Sequence, residues 1–247
     1  MENLTKTLTI KSNELGKELD LKVFGKYGFT ILAFPCVSDE YNEKVDNIFV
    51  ESVKSFLVNG LFRIVYVPTV ENRIWKNSMA WKLRSELHMR YNNFLINEVL
   101  PNVFRLAGSP SPIITFGCGE SGYFAANTYF RHPDIFYGTI AIDAYYDIRF
   151  LSGFDNWDDN CYFNSPIHFL KNLEEEYWLI HLRAKKQVHI IALNDADNSI
   201  AIEQAKELSS ILNHKRITHN FSIGEYEGSE KIEKWQKSFR KVIEENI

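Results

Sequence analysis

Short apolar runs bounded by turn residues recur along this chain, and helical patterns separate most of them. Thr30 to Phe34 (TILAF) and Phe62 to Val67 (FRIVYV) are almost wholly apolar, as strands buried on both faces should be. Further strands are predicted at Ile113 to Gly117, Thr139 to Asp143, Val188 to Leu193 and Thr218 to Ile223. Amphipathic stretches of helical length lie between them, notably Trp81 to Val99, Gly122 to Phe130, Ile200 to Leu212 and Lys231 to Glu245. Parallel strands need crossover connections, so this alternation predicts an α/β fold: a mainly parallel sheet with helices on both faces. Thr5 to Ile10 and Leu19 to Val23 instead alternate polar and apolar residues around a turn at Asn13 to Gly16, which predicts an opening hairpin.

With 247 residues the chain can bury one full core, and no repeat, low-complexity tract or Ser/Pro linker interrupts it. A single domain over residues 1–247 is expected. Ser152 to Pro166, rich in aromatics and Asp, reads as an ordered insertion whose Phe154, Trp157, Tyr162 and Phe163 either line a pocket or bury the insertion itself. Net charge is −4 and no basic stripe appears, which argues against a nucleic-acid partner. Met1 to Ser12 has no continuous apolar run, and no stretch is long enough to span a bilayer, so neither a signal peptide nor a membrane partner is expected. Cys36, Cys118 and Cys161 are odd in number, widely spaced and free of any CxxC pair, which fits reduced thiols in the cytoplasm and argues against structural zinc.

In sheets of this type ligands bind beyond the carboxyl ends of the strands. That singles out the loops Pro35 to Tyr41, Pro68 to Trp75, Gly117 to Gly122, Asp143 to Asp147 and Asn194 to Asn198, with Gly224 to Glu230 added if the last strand is parallel. The most informative segment is Ile113 to Phe136, IITFGCGESGYFAANTYFRHPDIF: a strand, a tight glycine-rich turn and a helix. This is the setting of a nucleophile elbow.

From here the chain resembles the esterase D-like branch of the α/β-hydrolases, which typically reads G-C-S-x-G-x-Y-x-A-x-N followed by R-H-P-D-x-F. The match includes Gly117, Cys118, Tyr123, Ala125, Asn127, Arg131 to Asp134 and Phe136. It extends through Tyr146-Asp147, Tyr162 to Pro166, Val23 to Gly25 and Phe34-Pro35. The resemblance implies an α/β-hydrolase fold of about eight strands and a cofactor-free Ser–acid–His hydrolase. The catalytic positions depart from that pattern. In the family register Gly117 and Ser121 are the small flanking residues, and the nucleophile position is Gly119, which has no side chain to attack with. A frame shifted by two makes Ser121 the nucleophile, but needs a small residue where Tyr123 stands. The acid falls at Asp197, with Asp195 a near alternative. The loop where the family places its histidine, Gly224 to Glu230, contains none, and Glu230 falls nearest the vacated position.

The leading expectation is therefore a catalytically inactive esterase-like protein kept as a binding, regulatory or scaffold protein. The alternative is an active carboxylesterase or thioesterase using Ser121 and Asp197, with His88 or His168 brought in as base; different chemistry on the same loops is a third. The candidate pocket comprises Cys36, Gly119, Glu120, Ser121, Asp143, Asp197 and Glu230. Cys36 lies on the loop that would supply half an oxyanion hole, and reads as a reduced or a reactive thiol. The acids Glu120, Asp143, Asp197 and Glu230 either converge on one cation-binding pocket or have separate roles, with Glu120 solvated, Asp143 capping a helix and Glu230 opening the last helix. No cofactor or metal is assigned; the small-molecule or protein ligand stays unidentified, and homo-oligomerisation stays open. Cys118 is expected in the core, and His132 in a capping or packing role before Pro133.

Overall fold

The two alternating segments at the amino terminus form β1 (Thr5–Ser12) and β2 (Lys17–Phe24), paired antiparallel from Thr5 opposite Phe24 to Ser12 opposite Lys17. The computed structural model describes residues 4–35, 43–68, 80–153, 157–184, 186–194, 199–224 and 230–247. The apolar runs become β3 (Phe29–Ala33), β4 (Phe62–Tyr66), β5 (Ile113–Cys118), β6 (Gly138–Ile142), β7 (Gln187–Leu193) and β8 (Asn220–Gly224). They form one eight-stranded sheet in the order β1-β2-β4-β3-β5-β6-β7-β8. Only the β1–β2 and β2–β4 pairings are antiparallel; the others are parallel.

Helices α1 (Glu43–Ser52), α2 (Lys54–Val58), α3 (Trp81–Phe94), α4 (Leu100–Ala107) and α5 (Glu120–Arg131) precede β6. Between β6 and β7 lie α6 (Arg149–Ser152), α7 (Asp159–Phe163), α8 (Pro166–Lys171) and α9 (Glu176–Arg183), and α10 (Ser199–His214) and α11 (Lys231–Asn246) flank β8. The predicted helix at Trp81 to Val99 is longer than expected. It passes through a π-helical turn at Leu95–Val99 into α4, whose Pro101 has no N–H to give a normal helical ladder.

Strand side chains alternate between two cores, as the two-residue period of a strand requires. Leu32, Val65, Ala141, Ile190 and Ala192 face a core shared with Tyr91, Phe94, Tyr123, Tyr129 and Leu208. Ile31, Ile64, Ile114, Phe116, Ile140 and Leu193 face the other, closed by Phe49 of α1, Val53 just after it, and Trp235, Phe239 and Ile243 of α11. Cys118 is buried there, as expected. Because β8 is parallel to β7, its carboxyl end at Gly224 lies on the same edge of the sheet as the turn after β5.

Candidate functional site

The turn after β5 has the conformation of an elbow. Gly119 sits at φ 61° and ψ −126°, a region that side-chain-bearing residues enter only under strain. Its N–H donates to the Ile142 carbonyl (2.8 Å), and its carbonyl accepts the Tyr123 N–H (3.2 Å), so the apex is held between β6 and the first turn of α5. Two residues earlier the chain passes so close to the helix that a Cβ on Gly117 would lie 2.2 Å from the Ser121 carbonyl oxygen. Among the described residues, a Cβ on Gly119 would meet only the Trp235 ring, at 3.4 and 3.6 Å. The small residue two before the apex is thus demanded by geometry, and the apex itself has room for a side chain.

Ser121 does not face that opening. It is fully buried in the first turn of α5, and its hydroxyl donates to the Pro35 carbonyl. Tyr123 is accommodated away from the strand, its hydroxyl donating to the Asn164 carbonyl (2.8 Å) and lying 3.1 Å from His88 Nε2. Cys36 and Asp197 lie outside the described residues, as do Asp195 and Phe154.

Asp143 supplies what the sequence did not foresee. It follows β6 with a positive φ of 52°, and is 2% exposed. One carboxylate oxygen accepts the Leu193 N–H (2.6 Å) and the other accepts the Trp235 indole N–H (2.5 Å). The expected helix-capping role is replaced by a brace: one buried acid ties the ends of β6 and β7 to α11. It also fixes the indole beside Gly119. The signal available in the sequence was an acid ending an apolar strand and a tryptophan early in an amphipathic helix, but nothing in either segment pairs them. Glu120 is the half-buried first residue of α5, and Glu230 is the exposed residue preceding α11, its carbonyl accepting the Lys234 N–H (3.2 Å). Both places suit an acid at a helix N-terminus. Among the described residues no group of three His, Cys, Asp or Glu is arranged to hold a metal ion.

All seven histidines are described. His88 is fully buried against Tyr123, and burial foremost, then the Arg131 charge, lowers its pKa to about 3. His132 ends α5 and is held down to about 4 by burial and by Arg131. His189 bonds Gln187 (3.0 Å), and burial lowers its pKa to about 4. His219 precedes β8 rather than lying inside it, between Ser209 Oγ (2.8 Å) and the Ile217 carbonyl (2.9 Å). His214 is exposed at the end of α10, and His181 packs on Tyr177.

His168 is the nearest approach to a triad. Its Nδ1 lies 2.7 Å from Ser165 Oγ and 3.8 Å from Asp147 Oδ1. A working triad places the serine on one ring nitrogen and the acid on the other; here both face the same nitrogen. Ser165 is also completely buried, its Oγ accepting the Ile148 N–H (3.1 Å), and Asp147 is chelated by Arg149 (2.6 to 3.0 Å). Burial pushes the Asp147 carboxyl upward, but the Arg149 hydrogen bonds and charge together with His168 outweigh it, and its pKa ends below the usual range. This cluster anchors α8 to the loop after β6.

Asn164 anchors the insertion in the same way. Its side-chain oxygen accepts from Asn92 (2.7 Å), Asn127 (2.8 Å) and Arg131 (2.6 Å), so the Tyr, Asn and Arg of the segment Tyr123 to Arg131 build a buried polar network rather than a catalytic surface. Trp157 is partly exposed over His168 and Arg149, and Phe163 is exposed.

No family model matches the chain, and no curated protein matches it by sequence. Solved structures match it in shape. A ferulic acid esterase superposes with a TM-score of 0.72 at 17% identity, covering 96% of this chain and 95% of its own. The S-formylglutathione hydrolase of Staphylococcus aureus gives 0.62 at 13% identity over 97% and 94% of the two chains. The fluorophosphonate-binding serine hydrolase F of the same organism gives 0.63 at 14% identity over 97% and 96%. The architecture is the α/β-hydrolase fold of such esterases, as the sequence resemblance implied.

Proposed function

We propose that this chain is an esterase-fold protein without ester-hydrolase activity, retained as a binding, regulatory or scaffold protein. The observation that carries the reading is Gly119: the residue with elbow geometry has no nucleophilic side chain. Two further facts support it. Ser121, the alternative nucleophile, has its hydroxyl enclosed against Pro35, and none of the seven histidines is hydrogen-bonded to it. In working serine hydrolases the loss of a single triad member already removes most of the rate. We place the protein in the cytoplasm as a single domain that acts without a cofactor; no helix among the described residues is long and apolar enough to cross a membrane.

The test is hydrolysis of p-nitrophenyl acetate and a short acyl thioester, with fluorophosphonate labelling in parallel. The parent protein should give trace turnover and no label. Gly119→Ser fits the space beside Trp235, and combined with Glu230→His it should restore labelling. Turnover by the parent near about 10 per second, abolished by Ser121→Ala, would overturn the proposal.

A further inference from the structure

A pocket lies away from the elbow. Helix α5 follows Gly119 and runs from Glu120 to Arg131, so its two ends are roughly 17 Å apart at 1.5 Å per residue. Around the far end a cavity of about 460 Å³ is lined by Arg131, Tyr162, Phe163, Phe169, Trp178 and, at an exposed position, Glu175, among others. That volume lies within the range of small-molecule sites, which are typically walled by aromatic side chains with a few placed polar groups.

The cation in this wall is incompletely used. Arg131 Nη1 donates to Asn164 Oδ1 (2.6 Å) and approaches Met89 Sδ (3.5 Å). Its Nε and Nη2 make no hydrogen bond, and they are not among the atoms sealed from solvent. Among the described residues no carboxylate pairs with it. Burial lowers its pKa, so the charge is held at a cost that an anion would offset. The Nε–Nη2 edge is the face of a guanidinium that takes a carboxylate through two parallel hydrogen bonds. Beside it His132 is kept neutral, its pKa lowered to about 4 by burial and then by Arg131 itself, so it adds no second positive charge. Glu175 also stands on this wall, but it is exposed and among the described residues makes no ion pair with Arg131, so the guanidinium edge stays open to one singly charged, planar acid attached to an apolar body.

We propose that this cavity binds small aromatic carboxylates, the carboxylate on the Nε–Nη2 edge of Arg131 and the ring among Tyr162, Phe163, Phe169 and Trp178. The site is independent of the elbow and of whether the elbow is active.

The test is calorimetric titration of the full chain with phenylacetate, and with phenylacetamide as the uncharged isostere. Phenylacetate should bind, and phenylacetamide should bind at least about tenfold more weakly, the loss expected when a charge-assisted bidentate pair is removed. Arg131→Gln should reduce phenylacetate binding to the level of the amide. That variant also touches the Asn164 network, so Leu173→Trp, which enlarges a different lining side chain, provides the second arm. It should abolish binding in a protein with unchanged circular dichroism. Equal affinity for acid and amide, binding that survives Leu173→Trp, or no heat with phenylacetate at millimolar concentration would each overturn the proposal.

Discussion

Asp143→Asn isolates the brace beside the elbow. Asparagine is nearly isosteric with aspartate and tolerates a positive φ, so the 52° backbone angle contributes little to the difference. What changes is hydrogen bonding. Among the described residues the carboxylate accepts two N–H groups, from Leu193 at 2.6 Å and Trp235 at 2.5 Å, in a site that is 2% exposed. The amide keeps one acceptor and turns an NH2 group toward the other donor. Losing one hydrogen bond to a charged acceptor costs about 1.5–3 kcal/mol, and burial leaves no water to replace it. The expected destabilisation is therefore about 2–3 kcal/mol, or a fall in Tm of roughly 5–10 °C for a chain of this length. Urea unfolding followed by circular dichroism measures it, and Trp235→Phe supplies the control. With the indole N–H gone, the amide can give its oxygen to Leu193, and the same Asp143→Asn change should cost about 1–2 kcal/mol less. A cost within about 0.5 kcal/mol of zero, or equal costs with and without the Trp235→Phe substitution, would refute the brace.

Glycine substitutions in the turn should separate strain from collision. Gly119→Ala has room beside Trp235 and should remain folded, losing about 1–2 kcal/mol to its φ of 61°. Gly117→Ala puts a Cβ 2.2 Å from backbone and should fail to yield soluble folded protein; equal melting temperatures for the two would contradict the elbow geometry. Acid should weaken the fold through the buried histidines. His88, near 3, and His132 and His189, near 4, all lie below the ordinary value of about 6.5, so the unfolded chain takes up these protons first. Their contribution is intact above pH about 6.5, declines by up to about 1.4 kcal/mol per pH unit for each group as pH falls, and is gone below the folded values. Unfolding free energies measured from pH 7.5 to 4.5 should show this slope, and His88→Asn should reduce it by about one proton; a flat profile would contradict the burial of these rings.

The strands and the main crossover helices were legible because their patterns are local. Phe62 to Tyr66 is apolar but for Arg63, close to what a strand covered on both faces requires, and the alternation at Thr5 to Ile10 marks the two-sided hairpin at the edge. The elbow was legible too: the motif resemblance placed its apex at Gly119, and a close approach that admits only glycine at position 117 fits that register. Less could be read for α1, α2, α8 and α9, short helices whose cores are completed by partners distant in sequence. The roles of individual polar residues were decided only by the tertiary structure. Ser121 stands in a string that suits a nucleophile, yet the approach of the Pro35 carbonyl, 86 residues away in sequence, encloses its hydroxyl. Asp143 meets Trp235 across 92 residues, and Arg131 meets Asn164 across 33. A side chain's hydrogen-bond partner depends on which segments the fold brings within about 3 Å, and periodicity along the chain carries no information at that separation.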